Sequence, residues 1–144
     1  MSVFNSMRIN ASGLTLERMK LDVISSNIAN VNTTRAEDGG PYQRKEVLFE
    51  EMVDQAKNRV TGQSERITNG VKVTEIFEDP EGMRSVYNPS HADADENGYV
   101  LMPNVNLLDE MVKLIEAQRS YEANATALKA SKAMLNKAIE ITKG

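Results

Sequence analysis

From Asn104 to Lys143 the chain contains neither Pro nor Gly, and a regular apolar seam runs through the whole stretch. Leu107, Met111, Leu114, Gln118, Tyr121, Ala125, Leu128, Lys132, Leu135 and Ile139 follow one another in alternating steps of four and three, and eight of these ten are apolar. This heptad spacing predicts one helix of about 33 residues or more, roughly 50 Å long. Asn104 or Asn106 can cap its start, and Asp109 and Glu110 in the first turn suit the helix dipole.

A second seam occupies the other terminus. Val3, Met7, Asn10, Leu14, Glu17, Leu21, Ile24, Ile28 and Val31 keep the same alternation, seven of the nine apolar. This seam runs directly into "SSNIANVNTT", residues 25 to 34, whose hydroxyls and amides compete with a helix backbone for its own hydrogen bonds. Two readings follow. Asn27, Asn30, Asn32, Thr33 and Thr34 either stop the helix and fix register against a neighbour as the chain turns away, or cap a solvated helix end.

Both helices also carry a second face. Ile9, Leu16 and Val23 form a row about 200° round from the first seam, and Ser120, Ala123, Ala127 and Ala130 form a small-residue row that lets another helix approach closely. An antiparallel hairpin of the two helices covers one stripe and leaves the other in water, so the pattern calls for helices from other subunits. The expected fold is mainly α: two long terminal heptad-patterned helices packed as a coiled-coil-like pair, with a small β-hairpin and loop insertion between them. The expected divisions are 1–34, 35–103 and 104–144.

The insertion reads as hairpins separated by turns. "EDGGPY" (37–42), "TNG" (68–70), "EDPEG" (78–82) and "YNPS" (87–90) combine Gly or Pro with Asp or Asn. "GVKVTEIF", "RSVY" and "GYVLM" are strand-like runs, while residues 44–60 read as a strand followed by a short helix around Phe49, Met52 and Val53.

Catalysis lacks parts. The single histidine, His91, sits in "NPSHADAD" with no nucleophile motif beside it, which suits a solvated loop, and no phosphate-cradling Gly loop occurs. The absence of Cys excludes disulfides and thiolate chemistry. "DADENGYV" offers Asp93, Asp95 and Asn97 in the spacing of a calcium loop, but position 12 falls on Asn104 where a bidentate Glu is needed. An Asx turn entering a strand at Tyr99 is the expected structure there. No metal or cofactor is expected. A net charge of −4 gives no electrostatic reason to bind nucleic acid, and no apolar run approaches the roughly 20 residues that span a bilayer. The start "MSVFNSMRIN" lacks the layout of a cleaved signal peptide.

"LDVISSNIANVNTTRAEDGGPYQRK", "GVKV", "VYNPSHADADENGYVLMPNVN" and "EMVKLIEAQRSYEANATALKASKAMLNKAIEI" together resemble the rod and hook axial proteins of the bacterial flagellum, within them the proximal-rod proteins. "NIANVNTT" is similar to the motif shared across that family, and the likeness extends along most of the chain outside residues 50–68. The resemblance implies a structural, non-enzymatic subunit that polymerises through its terminal helices and transmits torque to the distal rod and hook. It also implies export through the type III apparatus without a cleaved signal, a place in the rod outside the cytoplasmic membrane, and FlgB, FlgF, FlgG, FliE and the membrane-ring base as neighbours. The expected subunit contacts are Leu14, Leu21, Ile24, Asn27, Ile28, Asn30, Val31 and Thr33 on the first helix and its exit. On the second helix they are Met111, Leu114, Tyr121, Ala123, Ala127, Leu128 and Leu135.

Overall fold

The computed structural model describes the backbone of residues 3–36, 39–57 and 64–143. The elements run α1 (Val3–Ala29), β1 (Arg44–Lys57), β2 (Ser64–Asp79), β3 (Arg84–Tyr87), β4 (Tyr99–Met102) and α2 (Leu107–Lys143). β1 pairs with β2, and β3 pairs antiparallel with β4 in the register Arg84 to Met102 and Tyr87 to Tyr99. The chain divides into two compact units. One comprises Met1–Met19, Leu48–Glu75 and Ala117–Gly144; the other comprises Lys20–Val47 and Ile76–Glu116. α1, β1, β2 and α2 each contribute residues to both.

α2 extends over 37 residues, and the choice between its two candidate caps resolves to Asn106, whose Oδ1 accepts from the Leu108 N–H at 3.1 Å. Asn104 does different work. Its Oδ1 accepts from the Arg44 N–H at 2.9 Å, and its Nδ2 donates to the carbonyls of Asp79 at 2.8 Å and Glu81 at 2.6 Å. One amide thus ties the start of β1 and the end of β2 to the segment that leads into α2. Pro103, Val105 and Val100 beside it are almost wholly buried and form the tightest part of the second unit's core.

Two sequence expectations are corrected in the strands. Residues 44–57 form one strand throughout, with no helix around Phe49, Met52 and Val53, because pairing with β2 takes up the backbone groups a helix would need. "TNG" lies inside β2 instead of forming a turn. The reason is its contact with α1 in the first unit. Asn5 Nδ2 donates to the Thr68 carbonyl at 3.2 Å, Arg8 donates to Asn69 Oδ1, and the Val71 N–H donates to Ser12 Oγ at 3.1 Å. Gly70 sits at φ +109°, and a Cβ there would fall on Ser12 Oγ and lie 3.4 Å from the Ile9 Cα. The strand backbone therefore passes directly against the Ser12 side chain of the helix, at a φ that favours glycine. Gly70→Ala is expected to lower stability by roughly 2 to 4 kcal/mol, from the disfavoured φ and the overlap together. Urea unfolding of the purified chain reads the loss; an unchanged midpoint would contradict the close approach.

The loop between β3 and β4 takes the expected Asx form. Asp95 Oδ1 accepts from the N–H groups of Asn97 at 2.9 Å and Tyr99 at 2.7 Å, and β4 begins at Tyr99. Asp93 is engaged elsewhere, by Arg35 at 2.8 Å and by the Thr34 hydroxyl at 2.8 Å. His91 Nδ1 accepts from the Asp93 N–H at 3.1 Å, so the histidine organises its own loop. Among the described residues no group of three or more His, Cys, Asp or Glu side chains converges on a metal position.

Candidate functional site

The last turn of α1 places Asn27 at 1% exposure. Its Oδ1 accepts from the Tyr42 hydroxyl at 2.9 Å and from the Lys45 N–H at 2.9 Å. Its Nδ2 donates to the Lys45 carbonyl at 2.9 Å and to Glu110 Oε2 at 3.0 Å. Both acceptor and both donor positions of the amide are filled, which is the full capacity of an Asn side chain. Glu110 is itself 2% exposed, and its other oxygen lies 3.4 Å from the Lys113 ammonium. The side chain of Asn27 therefore binds the end of α1, the start of β1 and the first turn of α2 into one buried polar knot in the second unit. No buried side-chain nitrogen or oxygen among the described residues lacks a partner.

Asn30 behaves differently. Its Nδ2 donates to the Ser26 carbonyl at 2.9 Å, its Oδ1 accepts from the Thr33 hydroxyl at 3.1 Å, and its carbonyl accepts from the Thr33 N–H at 3.0 Å. These bonds close the C-terminal end of α1 locally. Thr33 then accepts from the Tyr42 N–H at 3.0 Å through its carbonyl, which returns the chain to the helix end. Asn30→Ala is expected to cost about 1 to 2 kcal/mol in a urea melt of the monomer, the usual worth of two local side-chain bonds.

The remaining expected contact residues separate by exposure. Ile24 and Asn27 are buried within the protomer, as are Leu16 and Val23 of the second row. Leu14, Leu21, Ile28, Val31 and Thr33 are half-buried, as are Leu114, Leu128 and Leu135. Met111, Tyr121, Ala123 and Ala127 are exposed. The buried positions of α2 are Glu110, Ala117 and Ser131, with Asn124 half-buried between them. In the first unit Asn124 fills the space beside Gly13, where an added Cβ would meet Nδ2 at 2.9 Å. Sequence reasoning missed this row, although its members stand seven residues apart, because a polar and small-residue stripe resembles a solvated face. It also missed Tyr42 and Glu110 as partners of the exit motif.

α2 thus buries a polar and small-residue row towards its own protomer, flanked by half-buried leucines, and leaves many large apolar side chains exposed. Leu108 is 73% exposed, Met134 60% and Ile141 80%, with Met111, Val112, Ile115 and Ile139 also open. No helix is long and apolar enough among the described residues to cross a membrane.

Comparison with known proteins places these features. Residues 7–36, which hold α1 from Met7 onward and its polar exit, match the family described as Flagella basal body rod protein. Residues 96–141, which hold β4 and α2, match the Flagellar basal body rod FlgEFG protein C-terminal family. The flagellar basal-body rod protein FlgC of Bacillus subtilis is 45% identical, over 99% of this chain and 100% of its own. That of Borreliella burgdorferi is 41% identical, over 100% of both chains, and that of Salmonella typhimurium is 38% identical, over 98% of both. Likeness at this level along the full length, across both helices and the strands between them, settles the family, whose members bear the names of structural rod proteins and not of enzymes. The chain belongs to the FlgC family of flagellar basal-body rod proteins.

Proposed function

We infer that the protein is an axial subunit of the proximal rod that polymerises through its terminal helices and carries torque from the basal body towards the distal rod and hook. The observation that carries this reading is the reversed polarity of α2: its large side chains, Leu108, Met111, Val112 and Ile115 among them, stand in solvent while Glu110 is buried. A monomer gains nothing from that arrangement, whereas an assembly covers the exposed stripe.

Heptad pairing of the two helices fits the same reading. Gly13 lies beside Asn124 in one unit and Asn27 bonds Glu110 in the other, and the two pairs stand fourteen residues apart on each helix, in opposite chain directions. The half-buried and exposed members of the predicted set, Leu14, Leu21, Ile28, Asn30, Val31, Thr33, Met111, Leu114, Tyr121, Ala123, Ala127, Leu128 and Leu135, are the proposed subunit contacts. The neighbours are the other rod proteins FlgB, FlgF and FlgG, with FliE at the base, reached after export through the type III apparatus. The division into segments 1–34, 35–103 and 104–144 describes the roles of helix, projecting insertion and helix.

The test is expression in a cell lacking its own FlgC, followed by recovery of basal bodies and a motility assay. Restored swimming with the chain present in the rod is the expected result. A soluble complex of small fixed size, with none of the chain in basal bodies, would instead identify a helical adaptor.

A further inference from the structure

The outward apolar face of α2 is short. Leu108, Met111, Val112 and Ile115 share one side of the helix, about 200° round from Glu110 and Ala117. Beyond Ile115 that side continues as Arg119, Glu122 and Thr126, all exposed and polar. One flank of the stripe carries Asp109 and Glu116, both exposed. Self-pairing of two such stripes brings acid flanks together, so a two-fold contact is disfavoured. The complementary surface is an uncrowded helix face with cations at its ends.

α1 carries such a face in its first half. Arg8, Ala11, Thr15 and Arg18 are all exposed and recur in steps of three and four. Ala11 and Thr15 leave room for large side chains; Arg18 stands at one end, and at the other Arg8, whose guanidinium also bonds Asn5 and Asn69. Further along the same side lies Asp22, which repels the acidic flank and so directs the contact towards Ala11.

Resting on the axial-subunit reading above, we propose that the Leu108–Ile115 stripe of one copy docks on the Arg8–Arg18 face of α1 in a second copy, with Glu116 beside Arg18. The contact joins different surfaces of identical chains, and a heterologous contact of this kind propagates from copy to copy instead of closing on itself as a pair. Four side chains fall well short of the about 800 Å² per partner that a stable free complex buries, so the contact forms at high concentration or within an assembly.

The chain has no Cys, so single cysteines report the contact without background. Val112→Cys and Thr15→Cys chains are purified, mixed at high concentration and oxidised; the same two variants are co-expressed in cells lacking FlgC and their basal bodies oxidised. A cross-linked dimer is expected only where both variants are present. Glu116→Arg should cut its yield by about tenfold, and Arg18→Glu in the second chain should restore it. Dimer from Val112→Cys alone would overturn the proposal in favour of stripe-to-stripe packing. Basal bodies that contain both variants without the dimer would also overturn it, showing that another protein covers the stripe, while leaving the rod reading intact. Dimer in solution with no chain in basal bodies would uphold the contact and remove the rod reading; no dimer in either setting would remove the contact.

Discussion

Asn27→Ala is expected to unfold the second unit at room temperature or bring it close to unfolding. Removing the amide takes a hydrogen bond at once from the Tyr42 hydroxyl, the N–H and carbonyl of Lys45, and Glu110 Oε2, and the Tyr42 hydroxyl then retains Ser26 Oγ at 3.2 Å. Each buried group left without a partner costs about 1 to 3 kcal/mol, and a domain of this size has a total stability of about 5 to 15 kcal/mol. Asn27→Asp should be worse although it is isosteric, since it replaces a donor to Glu110 with a second carboxylate in a site that excludes water. Amide exchange at Lys45 and through the first turns of α2 would show the opening directly. Retained protection there in Asn27→Ala would mean that the knot is decoration on a core that stands without it.

The complementary change leaves the monomer alone. Leu108→Asp alters a side chain that is 73% exposed, so the purified variant should unfold within about 0.5 kcal/mol of the parent. Its incorporation into rods should nevertheless be lost, because an unpaired carboxylate covered by a neighbour costs several kcal/mol at every copy. The measurement pairs a urea melt with the amount of protein recovered in basal bodies. Normal recovery would place this face in solvent in the assembled state. The two variants thus separate the contacts that make the subunit from those that join subunits.

How far the sequence foretold this depends on the residue. α2 was legible because nothing between Asn104 and Lys143 can break a helix, and β3 and β4 because Gly98 and Asp95 build the turn that precedes Tyr99. Which face of each helix turns inward was not legible. Pattern reading assigns large apolar side chains to the interior, yet α2 buries Glu110, Ala117 and Ser131, and the partner that makes a buried Glu110 tolerable, Asn27, stands 83 positions away. Local chemistry also misdirected the reading of Gly70: beside Asn69 and Thr68 it spells a turn, and only the close passage of Ser12 explains its place in a strand. In the exit motif the amide with the longest reach is Asn27, while Asn30 closes the helix end.

The reversed polarity of α2 also bears on where heat is absorbed and released over the life of the subunit. Burial of apolar surface governs the heat-capacity change of a transition. A monomer whose second helix turns Glu110 inward and leaves Leu107, Leu108, Ile115, Ile139 and Ile141 in water exposes less new hydrocarbon on melting than one that buries them. Its unfolding should therefore show a heat-capacity increment below the about 12 to 15 cal/mol/K per residue of ordinary globular chains. The missing increment should reappear, with opposite sign, when subunits join, so that rod formation is the calorimetrically larger event and weakens on cooling.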